Sequence, residues 1–428
     1  MTTGLILAAA LGLIVLGMPV AFAIGIAGTG YFFLPHVFLP ESTAVQRIVA
    51  ASQSFPLLAV PLFIILGNLM NVAGITPRLV SLATTLAGWM RGGLAQSTVV
   101  LSLLMGGISG SAVADAAMQS RILGKPMIAQ GYGRGFTAAI LSVGGLIVAT
   151  LPPSLGLILY GFLGEVSIGR LFIAGVVPGF LLTIILMIVT WFMSIKRGYE
   201  PINDRLPTRH EVWREFKGGF WAVMFPIWLL VGIRFGFFTP SEAGAFAIVY
   251  ALFVGFVIHR QMTIADLIDA LGKSVRDVGM IMLVILLSGT FGYVLTFERV
   301  PQSIAEVALT AFNNPTALLF TIAGFLLVIG MFVEATVLVM LLTPILVPVI
   351  TAAGIDPVQF GIVMMTIVTF GGMTPPVGVS MFTVCGILKS SYKSYTIELV
   401  PFAAAVLFFV SMMILFPQIV LFLPNWLM

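Results

Sequence analysis

The sequence predicts an all-α polytopic membrane protein built from two inverted-topology repeats, each holding a re-entrant helical hairpin and a broken helix. Three observations carry that prediction. Hydrophobic residues make up 60% of the 428 positions and charged residues only 8%, with a mean hydropathy of +1.14; soluble domains carry about a quarter charged residues. Apolar runs separated by short polar loops fill nearly the whole chain, which leaves no stretch for a soluble domain. Finally, "ATLPPSLGLILYG" (Ala149 to Gly161) and "GGMTPPVGVSMFTVCG" (Gly371 to Gly386) each put adjacent prolines inside an apolar segment. Proline removes a backbone donor and clashes with the preceding turn. Inside lipid the polar groups so freed cost several kcal/mol each, so a break made twice calls for a use.

The elements follow in order. Two short spans flank Met18-Pro19, and a third lies near Pro61 to Val72. "PRLVSLATTLAGWMRGG" is amphipathic and is expected along the membrane surface. "STVVLSLLMGGISGSAVADAAMQSRILG" (Ser97 to Gly124) is long enough for two short helices around a small-residue centre, and the first hairpin is expected at about 94–122. The first broken helix is expected over 136–161, and a span over Leu171 to Met193 closes a first repeat of residues 1–195. Residues 196–219 form a basic linker; the polar stretch around them carries Lys196, Arg197, Arg205, Arg209, Arg214 and Lys217, which places it in the cytoplasm. Residues 220–428 form the second repeat. It has two spans, an amphipathic "TIADLIDALGKSVRD" on the surface, a span over Gly279 to Thr296, a hairpin at 317–350 and a broken helix at 358–388.

Sliding the second half back by 223 residues superimposes Pro152-Pro153 on Pro375-Pro376, Gly107 on Gly330, Gly131 on Gly354 and Pro178 on Pro401. Loop charge gives the sense of the repeat. Arg91, Arg121, Lys125 and Arg134 draw the first-half loops to the cytoplasm, whereas "FNNP" and "GIDP", at the corresponding second-half loops, contain no Lys or Arg. Corresponding loops fall on opposite sides, so the halves are inverted and the N-terminus is expected in the periplasm.

Inverted repeats with discontinuous helices point to a secondary transporter. Unwound backbone offers carbonyl oxygens to a cation, and half-helix N-termini favour a carboxylate. Ser109, Gly110 and Ser111 form one expected hairpin tip, facing the break at Thr150 to Ser154; Gly330 to Thr336 form the other, facing Thr369 to Gly378. Asp115 and Glu334 lie within the hairpins. A carboxylate there either takes part in function or braces its own hairpin, Asp115 against Arg121. Arg299, beside Glu298, reads as half of an interfacial pair or as a contact for an anionic substrate. Trp89, Trp213 and Trp426 read as interface anchors.

Other chemistries find little support. Cys385 is the lone cysteine, and His36, His210 and His259 have no metal-ligand spacing. "GYGRG" (Gly131 to Gly135) follows no strand, which argues against a nucleotide site. No nucleophile–base constellation of an enzyme is visible, and nothing indicates nucleic acid. A passive channel remains the third class, since some channels share inverted repeats.

"LGMPVAFAIG", "GGISGSAVADAAMQSRI", "LPPSLGLILYG", "FVEATVLVMLLTPILVPV" and "GGMTPPVGVSMFTVCGI" occur here in the order they take in a known family. The whole chain resembles the large membrane subunit of TRAP (tripartite ATP-independent periplasmic) transporters, the DctM-like family. The resemblance implies an elevator-type importer of an organic acid, such as a C4-dicarboxylate or sialic acid, in a bacterial inner membrane. It implies Na⁺ as coupling ion, no other cofactor, a separate small four-helix membrane subunit, and a periplasmic binding protein that delivers substrate. By motif, one Na⁺ site would use Ser109, Gly110, Ser111, Gly145, Thr150, Leu151 and Pro152. The second would use Gly330, Glu334, Thr336, Thr369, Gly372 and Thr374. Glu334 stands where the family often has Asp. Asp115, Pro153, Ser154, Arg299, Pro375, Pro376 and Gly378 are the candidates for substrate contact or gating. The competing expectation is a stand-alone elevator-type anion transporter that needs no binding protein.

Overall fold

The computed structural model describes the chain except Met1, Pro35, His36, Phe38, Ser109, Asp204 and Asn313. All regular elements among the described residues are helical. In the first half, α1 (Thr2–Val15) and α2 (Val20–Gly30) are separated at Met18-Pro19, with Pro19 as the residue before α2. Then come α3 (Ser42–Ser52), α4 (Ala59–Val72) and α5 (Ile75–Ala87), the last two parted by Gly74 at a φ of 71°. That left-handed backbone is one glycine adopts freely. Next are α6 (Gly93–Met105) and α7 (Ala112–Ile122), joined by residues 106–111, and the short α8 (Gly124–Ala129). The broken pair α9 (Arg134–Thr150) and α10 (Leu155–Leu163) bends by 44° across Leu151 to Ser154. The 30-residue α11 (Ile168–Arg197) ends at Gly198, which is left-handed.

The second half begins with α12 (Arg209–Arg234), α13 (Pro240–Phe253) and α14 (Ile264–Phe297). Each starts at a Thr followed three residues later by an acid, Thr208/Glu211, Thr239/Glu242 and Thr263/Asp266. The Thr hydroxyl accepts from the third amide and the acid accepts from the Thr amide, so both end groups are satisfied. The chain continues through α15 (Val300–Ala311), α16 (Pro315–Gly330) and α17 (Ala335–Ala352), then α18 (Pro357–Gly371) and α19 (Val379–Leu388), and finishes with α20 (Tyr392–Leu415) and α21 (Gln418–Leu427). Seven of the described helices are long and apolar enough to cross a membrane, or eight if the bent α9–α10 pair counts as one span.

One expectation is corrected. "TIADLIDALGKSVRD" is not a separate surface helix but the first part of α14, which runs unbroken for 34 residues into the following span. The charges at Lys273, Arg276 and Asp277 signal water, but charge alone does not end a helix. Gly272 and Gly279, the two glycines near the join, cost just about 1 kcal/mol each in a helix interior.

Packing sorts the helices into two groups. At the centre, α9 is buried from Gly135 to Thr150 and α18 from Val358 to Gly371. They touch each other; α6, α7 and α20 pack on α9, and α16 on α18. A smaller apolar cluster joins α1, α2 and α3 to the later part of α14, around Ile24, Tyr31, Phe291 and Val294. There α2 crosses α14 so closely that a Cβ at Gly28 would lie 2.9 Å from the Phe291 amide nitrogen. Small residues permit such approach between apolar helices.

Candidate functional site

Each helix-turn-helix touches its broken helix through backbone. Leu155 N–H donates to Gly110 O at 3.4 Å, and Gly378 N–H donates to Met331 O at 2.9 Å. Glycine makes this approach possible. A Cβ at Gly145 would overlap the carbonyl of Ala112, at the start of α7, and one at Gly371 would overlap the backbone of Gly330. The peptide bonds Pro152-Pro153 and Pro375-Pro376 are both cis.

A cavity of about 120 Å³ lies where these elements meet. It is lined by Gly110 and Ser111, by Leu155 and Gly156, by Glu334, Ala335 and Thr336, and by Thr369, Gly372, Val379 and Ser380. The first residues of α7, α10, α17 and α19 are Ala112, Leu155, Ala335 and Val379, and all four line it. Four helix N-termini, each with unpaired amides and the positive end of a dipole, therefore border one space. No Lys or Arg lines it, and Glu334 is its one acid.

Of the expected site residues, Gly110, Ser111, Glu334, Thr336, Thr369 and Gly372 are brought together at this cavity. Ser111 caps α7, its hydroxyl accepting from Ala114 N–H at 3.4 Å. Glu334 caps α17, accepting from Val337 N–H at 3.2 Å and from the Thr336 hydroxyl at 2.8 Å. The Thr369 hydroxyl is buried with no partner among the described residues, and so is that of Ser154. Buried polar atoms are normally paired, so these two oxygens are available to a ligand. Gly145 and Gly330 pack against the neighbouring backbone, and the Thr374 hydroxyl donates to Gly371 O at 2.8 Å. Thr150 turns elsewhere: its hydroxyl donates to Leu146 O at 2.9 Å, and its carbonyl lies against Gly175 of α11. Leu151, Pro152, Pro153 and Ser154 are all buried, whereas in the second break Pro375 is half-buried, Pro376 and Val377 are exposed, and Gly378 is buried. Ser109 lies outside the described residues.

Asp115 is fully buried, and its brace is Gln119 rather than Arg121. The Gln119 side-chain amide donates to Asp115 Oδ2 at 2.7 Å and to Ser102 Oγ at 2.8 Å. Arg299 stands apart from the cavity: exposed and left-handed at φ 57°, it precedes α15. Sequence reasoning missed Met365, Ser380 and Ile281, which also line the cavity. Ser380 had a signal. Its hydroxyl meets that of Ser142 at 3.0 Å, one isolated hydroxyl from each half in apolar surroundings. Ile281 had none, because only packing brings α14 to this place.

The chain is similar to known proteins. The profile of the family described as "Tripartite ATP-independent periplasmic transporter, DctM component" matches residues 7–419. The sialic acid TRAP transporter large permease protein SiaM of Vibrio cholerae is 35% identical over 419 residues, which cover 97% of this chain and 96% of that protein. The 2,3-diketo-L-gulonate TRAP transporter large permease protein YiaN of Escherichia coli is 32% identical over 416 residues, 97% of each chain. Among solved structures, the Alcanivorax borkumensis YdaH transporter superposes with a TM-score of 0.61 over 87% of both chains; at 15% identity the likeness is one of fold.

Proposed function

The chain belongs to the tripartite ATP-independent periplasmic transporter family as its DctM, or large permease, component, and on that premise we propose that it imports an organic acid driven by a Na⁺ gradient. It is a multi-pass protein of the bacterial inner membrane and a transporter, not an enzyme. The observation that carries the proposal is the convergence of four helix N-termini on a cavity without a basic side chain. Backbone amides at helix starts bind carboxylates without a fixed counter-charge, so the charge of the substrate is left for a co-transported cation to balance. The unpartnered hydroxyls of Ser154 and Thr369, each beside a tip–break contact, supply oxygens of the kind Na⁺ takes. The relatives are named for sialic acid and 2,3-diketo-L-gulonate, both hydroxylated carboxylates, which supports an organic acid as cargo.

In this reading the hairpins α6–α7 and α16–α17 move with the broken helices as a carrier domain, against a scaffold that includes α2, α4, α12, α13 and α14. The same order of hairpin, broken helix and long helix in each half supports two repeats, and loop charge supports their inversion. A small membrane subunit and a periplasmic binding protein complete the transporter, as the family's tripartite description leads one to expect.

The test is reconstitution into liposomes with a small subunit and candidate binding proteins. Uptake of a labelled organic acid is expected with an inward Na⁺ gradient and a loaded binding protein. Uptake that is unchanged when K⁺ replaces Na⁺ would sink the coupling, and full uptake without any binding protein would make the chain a stand-alone carrier.

A further inference from the structure

A second cavity shares no lining residue with the first. It is a groove of about 290 Å³ between α6, the Leu151-Pro152 break, α11 and α12. No polar side chain lines it; Leu104, Leu151, Pro152, Phe180, Pro226 and Ile227 form most of its wall. It is closed at Gly107, where the Pro226 ring packs so tightly that a methyl group in place of the glycine hydrogen would overlap it. At its mouth Phe180 is 51% and Ile227 45% exposed. The exposed apolar faces of α11 (Ile184, Ile188) and α12 (Trp228, Val231) continue from there. In a membrane these faces meet hydrocarbon, so the groove is an indentation in the lipid-facing surface. Water inside it would find no side-chain partner, and an empty groove would forfeit dispersion contact along its whole wall.

We propose that this groove is a binding site for one acyl chain of a membrane phospholipid, seated between the first hairpin with its break and the proline-bearing turn of α12. The bound chain touches the Leu151-Pro152 break on one side and Pro226 on the other. Any movement of the first hairpin relative to α12 reshapes the groove, so occupancy and that movement depend on each other.

The test uses the full chain in lipid nanodiscs containing a phosphatidylglycerol with a photoactivatable diazirine on its acyl chain. After irradiation, adducts are mapped by peptide mass spectrometry. Labelling of Leu103 to Gly107 and Val223 to Leu230 is expected to exceed, several-fold, that of Phe192 and Ile195. Those two are comparably exposed on α11 but lie outside the groove. The excess is expected to fall as unlabelled phosphatidylglycerol is added and to disappear in Val223→Trp, which fills the groove. Equal labelling inside and outside, or labelling that competitor lipid reduces everywhere in proportion, overturns the proposal. So does a wild-type excess that vanishes when the small membrane subunit is co-reconstituted, because a protein helix would then be what covers the groove. The competition arm needs only the wild-type chain, so the proposal stays testable even if Val223→Trp does not fold.

Discussion

Thr369 and Ser154 are two hydroxyls that bury themselves without a hydrogen bond among the described residues, one in each half of the chain. A net hydrogen bond to a neutral group is worth about 1 kcal/mol. Loss of one neutral oxygen ligand should therefore raise the Na⁺ concentration for half-maximal uptake about fivefold. Thr369→Val and Ser154→Ala are each expected to do this while keeping the wild-type unfolding midpoint, since neither hydroxyl holds a protein partner. Unaltered Na⁺ dependence in both would place the ions elsewhere. Asp115 makes the opposite case. Its carboxylate lies fully buried and depends on the Gln119 amide at 2.7 Å. Gln119→Leu removes that bond, worth about 1 kcal/mol, and is expected to lower the unfolding midpoint in detergent more than Ser102→Ala. Equal midpoints for the two would mean that Asp115 does not rely on that amide. Sequence alone marked Asp115 as a buried acid in an apolar hairpin, but offered Arg121 as its brace. A partner four residues on, on the same helix face, is chosen by packing, and an arginine that can reach water has little reason to be drawn inward.

At the scale of elements, much was legible because helix boundaries are written in local chemistry. The proline breaks at Pro152-Pro153 and Pro375-Pro376 are read directly from the residues, and the Thr-x-x-acid starts of α12, α13 and α14 are equally local signals that sequence reasoning passed over. The length of α14 was not legible, because a charged stretch looks like a surface segment until one asks what would terminate it. Nor could the sequence say that α2 lies against α14, since the small residues of "AFAIGIAGTG" permit close packing without naming a partner. The contact gives a sharp test. Gly28→Leu forces a side chain into the Phe291 backbone. Overpacking of this kind costs about 1–3 kcal/mol, so reduced yield and a lower melting midpoint are expected. Gly30→Leu has open space at its Cβ position and is expected to melt as the wild type does. Identical behaviour of the two variants would mean that α2 does not sit on α14.

At the scale of the molecule, residues from both expected sites line one cavity. Read along the chain, Ser111 and Thr336 belong to separate hairpins; in space they line the same cavity. No local pattern announces this, because it follows from the packing of α9 on α18. Ser111→Cys with Thr336→Cys, in a Cys385→Ala background that removes the native thiol, is therefore expected to be bridged by a short bis-maleimide, which adds one thiol at each end, and to stop uptake. Failure to cross-link in either the presence or absence of Na⁺ would separate the two tips. The burial of α9 and α18 also bears on how the protein is made. Neither helix keeps a lipid-facing side in the finished fold, yet α9 leaves the ribosome long before its partner. Until synthesis passes Gly371, the face of α9 that awaits α18 lacks its partner. The centre of this protein is thus completed among the last of its parts, and a chain that stalls before Gly371 is left with an unfinished interior.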